Sequence, residues 1–333
     1  CILQNKWRTH GHIHGVEFMK ISIIGPGIMP IPPTGWGAVE ILIWDQKLAL
    51  EKLGHEVDIV NTKSPIEIVQ KINAYRPDFV HIQYDDFIEL YPYIQYPCAI
   101  TSHFGYLEQS NKWGYYHDRI VKPFQRISPK IFCLSDGIKN VYEKELLIEK
   151  SNLYVTPNGV NISKFVTRDP KYPDRSLYLA KIDYRKRQSM FQSISSLYYA
   201  GNNADPNFNT NINYLGEWSK EHLYNNLTDY GNLVLLSDGE AHPLVCMEAL
   251  AAGLGVVVCE YGAANLDTSK DFITVIPESK INDLKYLEDE IVKNRDYSVS
   301  HKDDIIKYAS NFDWVNVIKD RYIPCVKDLI SKI

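Results

Sequence analysis

The sequence predicts an α/β protein built from two doubly wound domains that face a central cleft. Length is the first reason, because 333 residues are too many for one core at roughly 100 to 200 residues per domain. Alternation is the second: from Lys20 onward, short β-branched runs alternate with helical periods, as in parallel sheets covered by helices. The third is a polar, proline-bearing stretch, TRDPKYPDR, between two such series, which reads as an interdomain linker.

The first series opens with the strand KISIIG and the helix AVEILIWDQKLALEKLG. Val39, Leu42, Ile43, Leu50 and Leu53 recur there near a period of 3.6, and Gly54 marks the stop. HEVDIVN, PIEIVQKINAY, DFVHIQY, CAITSHF, a helical stretch near Tyr115 to Gln125, KIFCLS, DGIKNVYEKELL and LYVTPNG follow. The second series begins with SLYLAKI and includes the strands NINYLG, NLVLLS and GVVVCE. Between Lys186 and NINYLG there is room for one helix and a polar loop, AGNNADPNFNTN. The segment from Trp314 to Ile333 reads as an amphipathic helix. The expected boundaries are therefore 1–18, 19–168, 169–313 and 314–333. Met19 before KISIIG resembles a natural start, so 1–18, with His10, His12 and His14 alternating in HGHIHG, reads as a leader rather than a metal site.

Composition narrows the function. A hydrophobic share of 45% with a net charge of −5 argues against disorder and against a nucleic-acid-binding surface. A phosphate-bearing ligand then needs a local positive site. The six cysteines are scattered without C-x-x-C spacing, and Cys98, Cys133 and Cys259 fall in strand-like runs. They read as small hydrophobes in a reducing cytoplasm. No apolar run reaches the ~18 to 20 residues of a membrane span, which leaves room only for peripheral membrane contact.

The strongest constellation is NLVLLSDGEAHPLVCMEALAAGLGVVVC: strand, acidic turn, helix, strand. Pro243 suits the first turn of that helix, where its missing N–H costs nothing. The N–H groups of Leu244 and Val245 then point out of the sheet's carboxyl edge, where the helix dipole favours a phosphate or sugar hydroxyl. Glu240 precedes the helix and Glu248 lies about one and a half turns inside it. Both can border one crevice and accept from sugar hydroxyls.

A second cluster, SLYLAKIDYRKRQ, leaves Lys181, Arg185, Lys186 and Arg187 after a strand. Lys181 and Lys186 can neutralise a diphosphate. A third, PPTGWGAVE, places Gly35 and Gly37 before the first helix, where backbone can approach a ligand closely. A dinucleotide reading would start at Gly25 to Gly27, but position 30 is proline and G-x-G-x-x-G is incomplete. His103 ends the strand CAITSH and can reach the cleft. Phe104, Tyr106, Trp113, Tyr115 and Tyr116 can stack on a glycan or pack in the core.

Six segments in order, TGWGAVE, ITSHFG, CLSDGIKNVY, VTPNGVNISKF, LAKIDYRKRQ and EAHPLVCMEALAAG, together resemble the large retaining glycosyltransferase family commonly called family 4. The resemblance runs from Met19 to the final helix. It implies a GT-B fold, two Rossmann-like domains with the donor on the second and the acceptor on the first, and a last helix that crosses back. By this resemblance Glu248 would hold the ribose, Lys186 the diphosphate and Glu240 the donor sugar or its phosphate. His103 and the Gly37 backbone would reach across, while His242, Leu244 and Val245 would frame the sugar. The implied reaction transfers a sugar from a UDP- or GDP-sugar to a hydroxyl of a glycan, lipid or small molecule, with retention. No metal and no cofactor is expected, since D-x-D is absent from the sequence. Two departures stand out: Ala180 and Lys181 replace the usual arginine, and the second domain is shortened. A sugar-nucleotide epimerase and a degenerate sugar-nucleotide-binding protein are the alternatives.

Overall fold

A computed structural model of the chain describes residues 18–34 and 37–332. Gly35, the three alternating histidines and nearly all of the expected leader lie outside the described residues. The first sheet contains β1 (Lys20–Ile24), β2 (Glu56–Val60), β3 (Phe79–Ile82), β4 (Cys98–Ile100), β5 (Ile131–Cys133) and β6 (Leu153–Val155). Its order is β2-β1-β3-β4-β5-β6, all parallel. The second contains β7 (Tyr172–Leu179), β8 (Leu197–Ala200), β9 (Tyr230–Leu235), β10 (Gly255–Cys259) and β11 (Ile273–Ile276). Its order, β11-β10-β9-β7-β8, is also parallel throughout. Both sheets wind outward from their first strand in the same way. Each has a switch point, between β1 and β3 and between β7 and β9, where a crevice opens at the carboxyl ends of the strands.

Several of the helices begin where the sequence supplies an oxygen cap. After α1 (Ala38–Lys52), which ends before Gly54 at φ +92°, α2 (Pro65–Tyr75) is capped by Ser64, whose Oγ accepts from the Glu67 N–H at 3.3 Å. After α3 (Lys122–Ile127), Ser135 caps α4 (Asp136–Lys144) and Ser219 caps α5 (Lys220–Asn226). α6 (Leu244–Ala251) follows β9, and Asp283 caps α7 (Leu284–Ser300).

The chain closes with α8 (Lys302–Ala309), α9 (Trp314–Val317), a wide turn at Ile318–Tyr322, and α10 (Ile323–Ser331). These last turns pack on the first sheet: Tyr322 stands edge-on to Phe79 and Phe132, and its hydroxyl lies 3.2 Å from His81 Nδ1. Trp314 presses on Gly159, where a Cβ would lie 2.6 Å from the indole. Consequently one apolar core, containing Ile21, Phe79, Leu177, Val257 and Val326, runs through both domains. No helix among the described residues is long and apolar enough to cross a membrane.

Three sequence expectations need correction. The linker is shorter than TRDPKYPDR, because YPDR already belongs to β7. Pro173 is tolerated there because the β7–β9 ladder skips from Tyr172 to Ser176, and a bulge needs no donor from that residue. Between Lys186 and NINYLG the chain forms a tight turn, Gln188–Phe191, and the strand β8 rather than an α-helix. Leu197, Tyr199 and Ala200 in β8 are fully buried; a four-residue run rich in tyrosine suits a strand, not a helix. NINYLG is no strand either. Tyr214 makes one isolated bridge to Tyr199, and Asn213 sits at φ +51°, which an asparagine side chain tolerates. Cys98, Cys133 and Cys259 are buried in strands, as expected.

Candidate functional site

The densest polar constellation lies at the carboxyl edge of the second sheet, at its switch point. β7 runs into the loop carrying Lys186, and β9 runs into Ser237, Asp238, Gly239 and Glu240. Tyr178, fully buried in β7, ties these loops together: its hydroxyl accepts from the Leu236 N–H at 2.9 Å and donates to the Lys186 carbonyl. Lys186 then donates to Glu240 Oε1, which also accepts from Ser237 Oγ at 2.6 Å. Lys181, by contrast, is exposed beyond β7, and the structure does not bring it to this pair.

Pro243 is the N-cap residue of α6 rather than a member of its first turn. Leu244 and Val245 therefore carry the first two helical N–H groups, which have no intrahelical carbonyl to reach. Leu244 is buried and Val245 half-buried. His242, just before them, is buried, and its Nδ1 accepts from the Asn158 N–H at 3.1 Å.

Across the cleft, the first sheet contributes His103 just after β4. Its Nε2 donates to Gln83 Oε1 at 2.8 Å, while the Gln83 amide nitrogen donates to Gln46 of α1 at 2.8 Å. Gln83 thus fixes the ring's orientation and leaves the lone pair on Nδ1. Burial pushes the imidazoles of His103 and His242 down to about 4, and the neighbouring His103 ring lowers His242 further. Both are neutral at physiological pH. Gly37 caps α1 at φ +148°, and a Cβ there would lie 2.8 Å from the Glu40 carboxylate, so only glycine suits this approach.

Glu248 does not share a partner with Glu240. Its carboxylate, 4% exposed, accepts from Lys220 Nζ at 2.8 Å. Beside it, Asp45 of α1 pairs with Lys164 at 2.6 Å, so that Asp45, Lys164, Glu248 and Lys220 form a four-charge cluster. Burial raises the Asp45 carboxyl, Lys164 opposes that rise, and the Glu248 charge adds to it.

Sequence reasoning missed Lys220, Lys164, Gln83 and Asp45. Only Asp45 leaves a trace in the sequence, as a charge interrupting the apolar stripe of α1.

A second missed network holds the domains together. Lys112 of the first domain pairs with Asp238 at 2.6 Å, and Gln109 donates to the Asp238 carbonyl at 2.9 Å. Arg187 pairs with the same Asp238 and with Glu278. Directly behind, a Cβ on Gly239 would lie 2.7 Å from the Gly105 carbonyl and 2.5 Å from the Tyr106 ring. Of the aromatic residues nearby, Trp113 and Tyr116 are core residues, Phe104 stacks on Tyr116 at 3.7 Å, and Tyr115 is exposed.

No family model matches the chain, and no curated protein matches it. Solved structures do. Sucrose-phosphate synthase from Thermosynechococcus elongatus is similar with a TM-score of 0.73 at 15% identity, over 94% of this chain and 100% of that one. HepE from Anabaena, in complex with UDP-glucose, is similar with a TM-score of 0.70 at 13% identity, over 95% and 100%. AviGT4, a glycosyltransferase involved in avilamycin A biosynthesis, gives 0.66 at 15%, over 95% and 99%. Sheet order, the paired switch points and these similarities agree that the chain has the GT-B fold, two Rossmann-like domains closing on one cleft.

Proposed function

We propose that the chain is a metal-independent, retaining glycosyltransferase that moves a sugar from a UDP- or GDP-sugar to a hydroxyl of a glycan, lipid-linked or small-molecule acceptor, in the cytoplasm. The observation that carries this reading is the Lys186–Glu240 pair at the switch point of the second sheet, across the cleft from His103. That HepE has been captured with UDP-glucose and with UDP supports a nucleotide-sugar donor here.

In this reading the diphosphate lies against Lys186 and the first N–H groups of α6. A fixed cation and a helix N-terminus offset the charge that grows as the diphosphate leaves. The sugar passes through an oxocarbenium-like state, and the departing diphosphate takes the proton of the acceptor hydroxyl on the same face. Glu240 and His103 accept from sugar hydroxyls, and Glu248 accepts from the ribose once Lys220 shares it. Support for doing without a metal comes from the charge already supplied by Lys186 and from the lack of D-x-D in the sequence.

The test is thermal unfolding with UDP, GDP, ADP and their sugars at millimolar concentration, followed by donor turnover. A ligand at 100 times its Kd stabilises by about 2.7 kcal/mol. The true nucleotide raises Tm, and Glu240→Ala keeps the fold but abolishes turnover. Absence of stabilisation by every nucleotide defeats the reading, and conversion of the sugar nucleotide without any acceptor replaces it with epimerisation.

A further inference from the structure

We infer that His242 donates a hydrogen bond from Nε2 to a hydroxyl of the donor sugar, so that the site selects sugars carrying an oxygen there over their deoxy counterparts. The inference rests on the sugar-nucleotide reading above and deepens it.

The tautomer follows from one bond. Because the Asn158 N–H donates to Nδ1 at 3.1 Å, the lone pair of the neutral ring lies on Nδ1 and the proton on Nε2. That Nε2 is buried and has no hydrogen-bond partner among the described residues. A buried donor without an acceptor is costly, and groups of this kind call for a ligand or water. Local packing does not explain it, because the ring is held only by its other nitrogen.

Its place in the fold says what the missing acceptor is. His242 stands two residues beyond Glu240 and just before Pro243, the N-cap of α6, at the switch point where the ligand enters. Its ring neighbours that of His103, closely enough for a charge on one to be felt by the other. His103 spends its proton on Gln83 and presents a lone pair. A donor on one ring and an acceptor on the other suit a group that both accepts and donates. A hydroxyl does both; a phosphoryl oxygen only accepts, and an ammonium only donates.

Calorimetric titration of the full chain with UDP, UDP-glucose, GDP and GDP-mannose tests this. His242→Phe is expected to weaken the sugar nucleotide by about 10-fold to 100-fold, the size of a lost hydrogen bond to a buried substrate hydroxyl, while the matching diphosphate binds within twofold of wild type. His242→Gln, which can accept from Asn158 and still offer an N–H, should recover much of the loss. One monodeoxy analogue of the sugar nucleotide should then bind wild type and His242→Phe equally. Equal weakening of diphosphate and sugar nucleotide would overturn the inference, since His242 would then merely support the Asn158 backbone. So would an unchanged sugar nucleotide in His242→Phe. If wild type binds neither diphosphate, the donor reading itself fails and takes this inference with it.

Discussion

Lys186 and Glu240 leave the carboxyl ends of adjacent strands, β7 and β9, and meet in an ion pair whose side chains are only 12% and 10% exposed. Two loops are thereby held in one register by a bond that a diphosphate would have to share. The pair is a stability element and a ligand site at once, and substitution separates these roles.

Lys186→Ala leaves Glu240 nearly buried without its cation. Breaking a buried pair from one side costs roughly 3 kcal/mol, and losing a charge stabiliser costs on the order of 100-fold to 1000-fold in kcat. In Lys186→Ala/Glu240→Ala, stability should recover while turnover stays lost. Urea unfolding and steady-state kinetics check this. A single variant as stable as wild type would mean the pair does not hold the loops.

Gly239→Ala tests the closed cleft. The new methyl would sit 2.5 Å from the Tyr106 ring and 2.7 Å from the Gly105 carbonyl, well inside contact distance, so the two loops must part. Lys112–Asp238 is the bond that parting stretches. A displacement near 1 Å at reacting groups costs about 100-fold, so kcat/KM should fall by roughly that factor with little change in nucleotide affinity. Small-angle scattering should show a larger radius of gyration. An unchanged radius and unchanged kinetics would show that this contact does not set the closure.

How far the sequence foretold this site depends on the range of each interaction. Local signals read correctly for the period of α1 and Gly54 at its end, which are set by neighbours in the chain; the strand expected to run to His103 stops at Ile100, and His103 follows it in the loop. Lys220 was invisible because its meaning lies in a carboxylate 28 residues away, and no local pattern encodes that distance. Gln83 was missed for the same reason, being an ordinary polar residue until α1 and β4 bring Gln46 and His103 to it. The strand β8 was misread because four residues carry too little period to choose between states. YPDR was misread because a bulge let proline into a strand.

Glu248 and Lys220 give a third prediction. Lys220→Ala strands a carboxylate that is 4% exposed, and stability should fall by about 3 kcal/mol, at the low end for buried pairs because Lys220 itself is 27% exposed. Adding Glu248→Gln should restore most of it. If Glu248 also anchors the ribose, that double variant should fold normally yet bind the nucleotide more weakly, by titration, than Lys220→Ala does. Equal affinity in the two would remove Glu248 from the ribose site.

Acidification should destabilise the protein through imidazoles that the fold removes from water. Burial lowers His103 and His242 to about 4 and His81 to about 3, against about 6.5 in the unfolded chain. Between those values the unfolded state binds more protons, so stability rises with pH and is lost as pH falls through 6.5 toward 4. Each ring contributes on the order of 1 to 2 kcal/mol between pH 7 and pH 5. Asp45, Asp85 and Glu108 act in the opposite sense, since burial raises their carboxyls and their protonation favours the folded state as pH falls. Comparison with variants isolates the imidazoles. Urea unfolding at pH 7 and pH 5 should show wild type losing more stability than His103→Gln or His242→Gln, because glutamine keeps a hydrogen-bonding amide and has nothing to protonate. Parallel losses in wild type and both variants would show that these rings are not held neutral by the fold, and the tautomers on which the cleft's donor and acceptor depend would have to be reassigned.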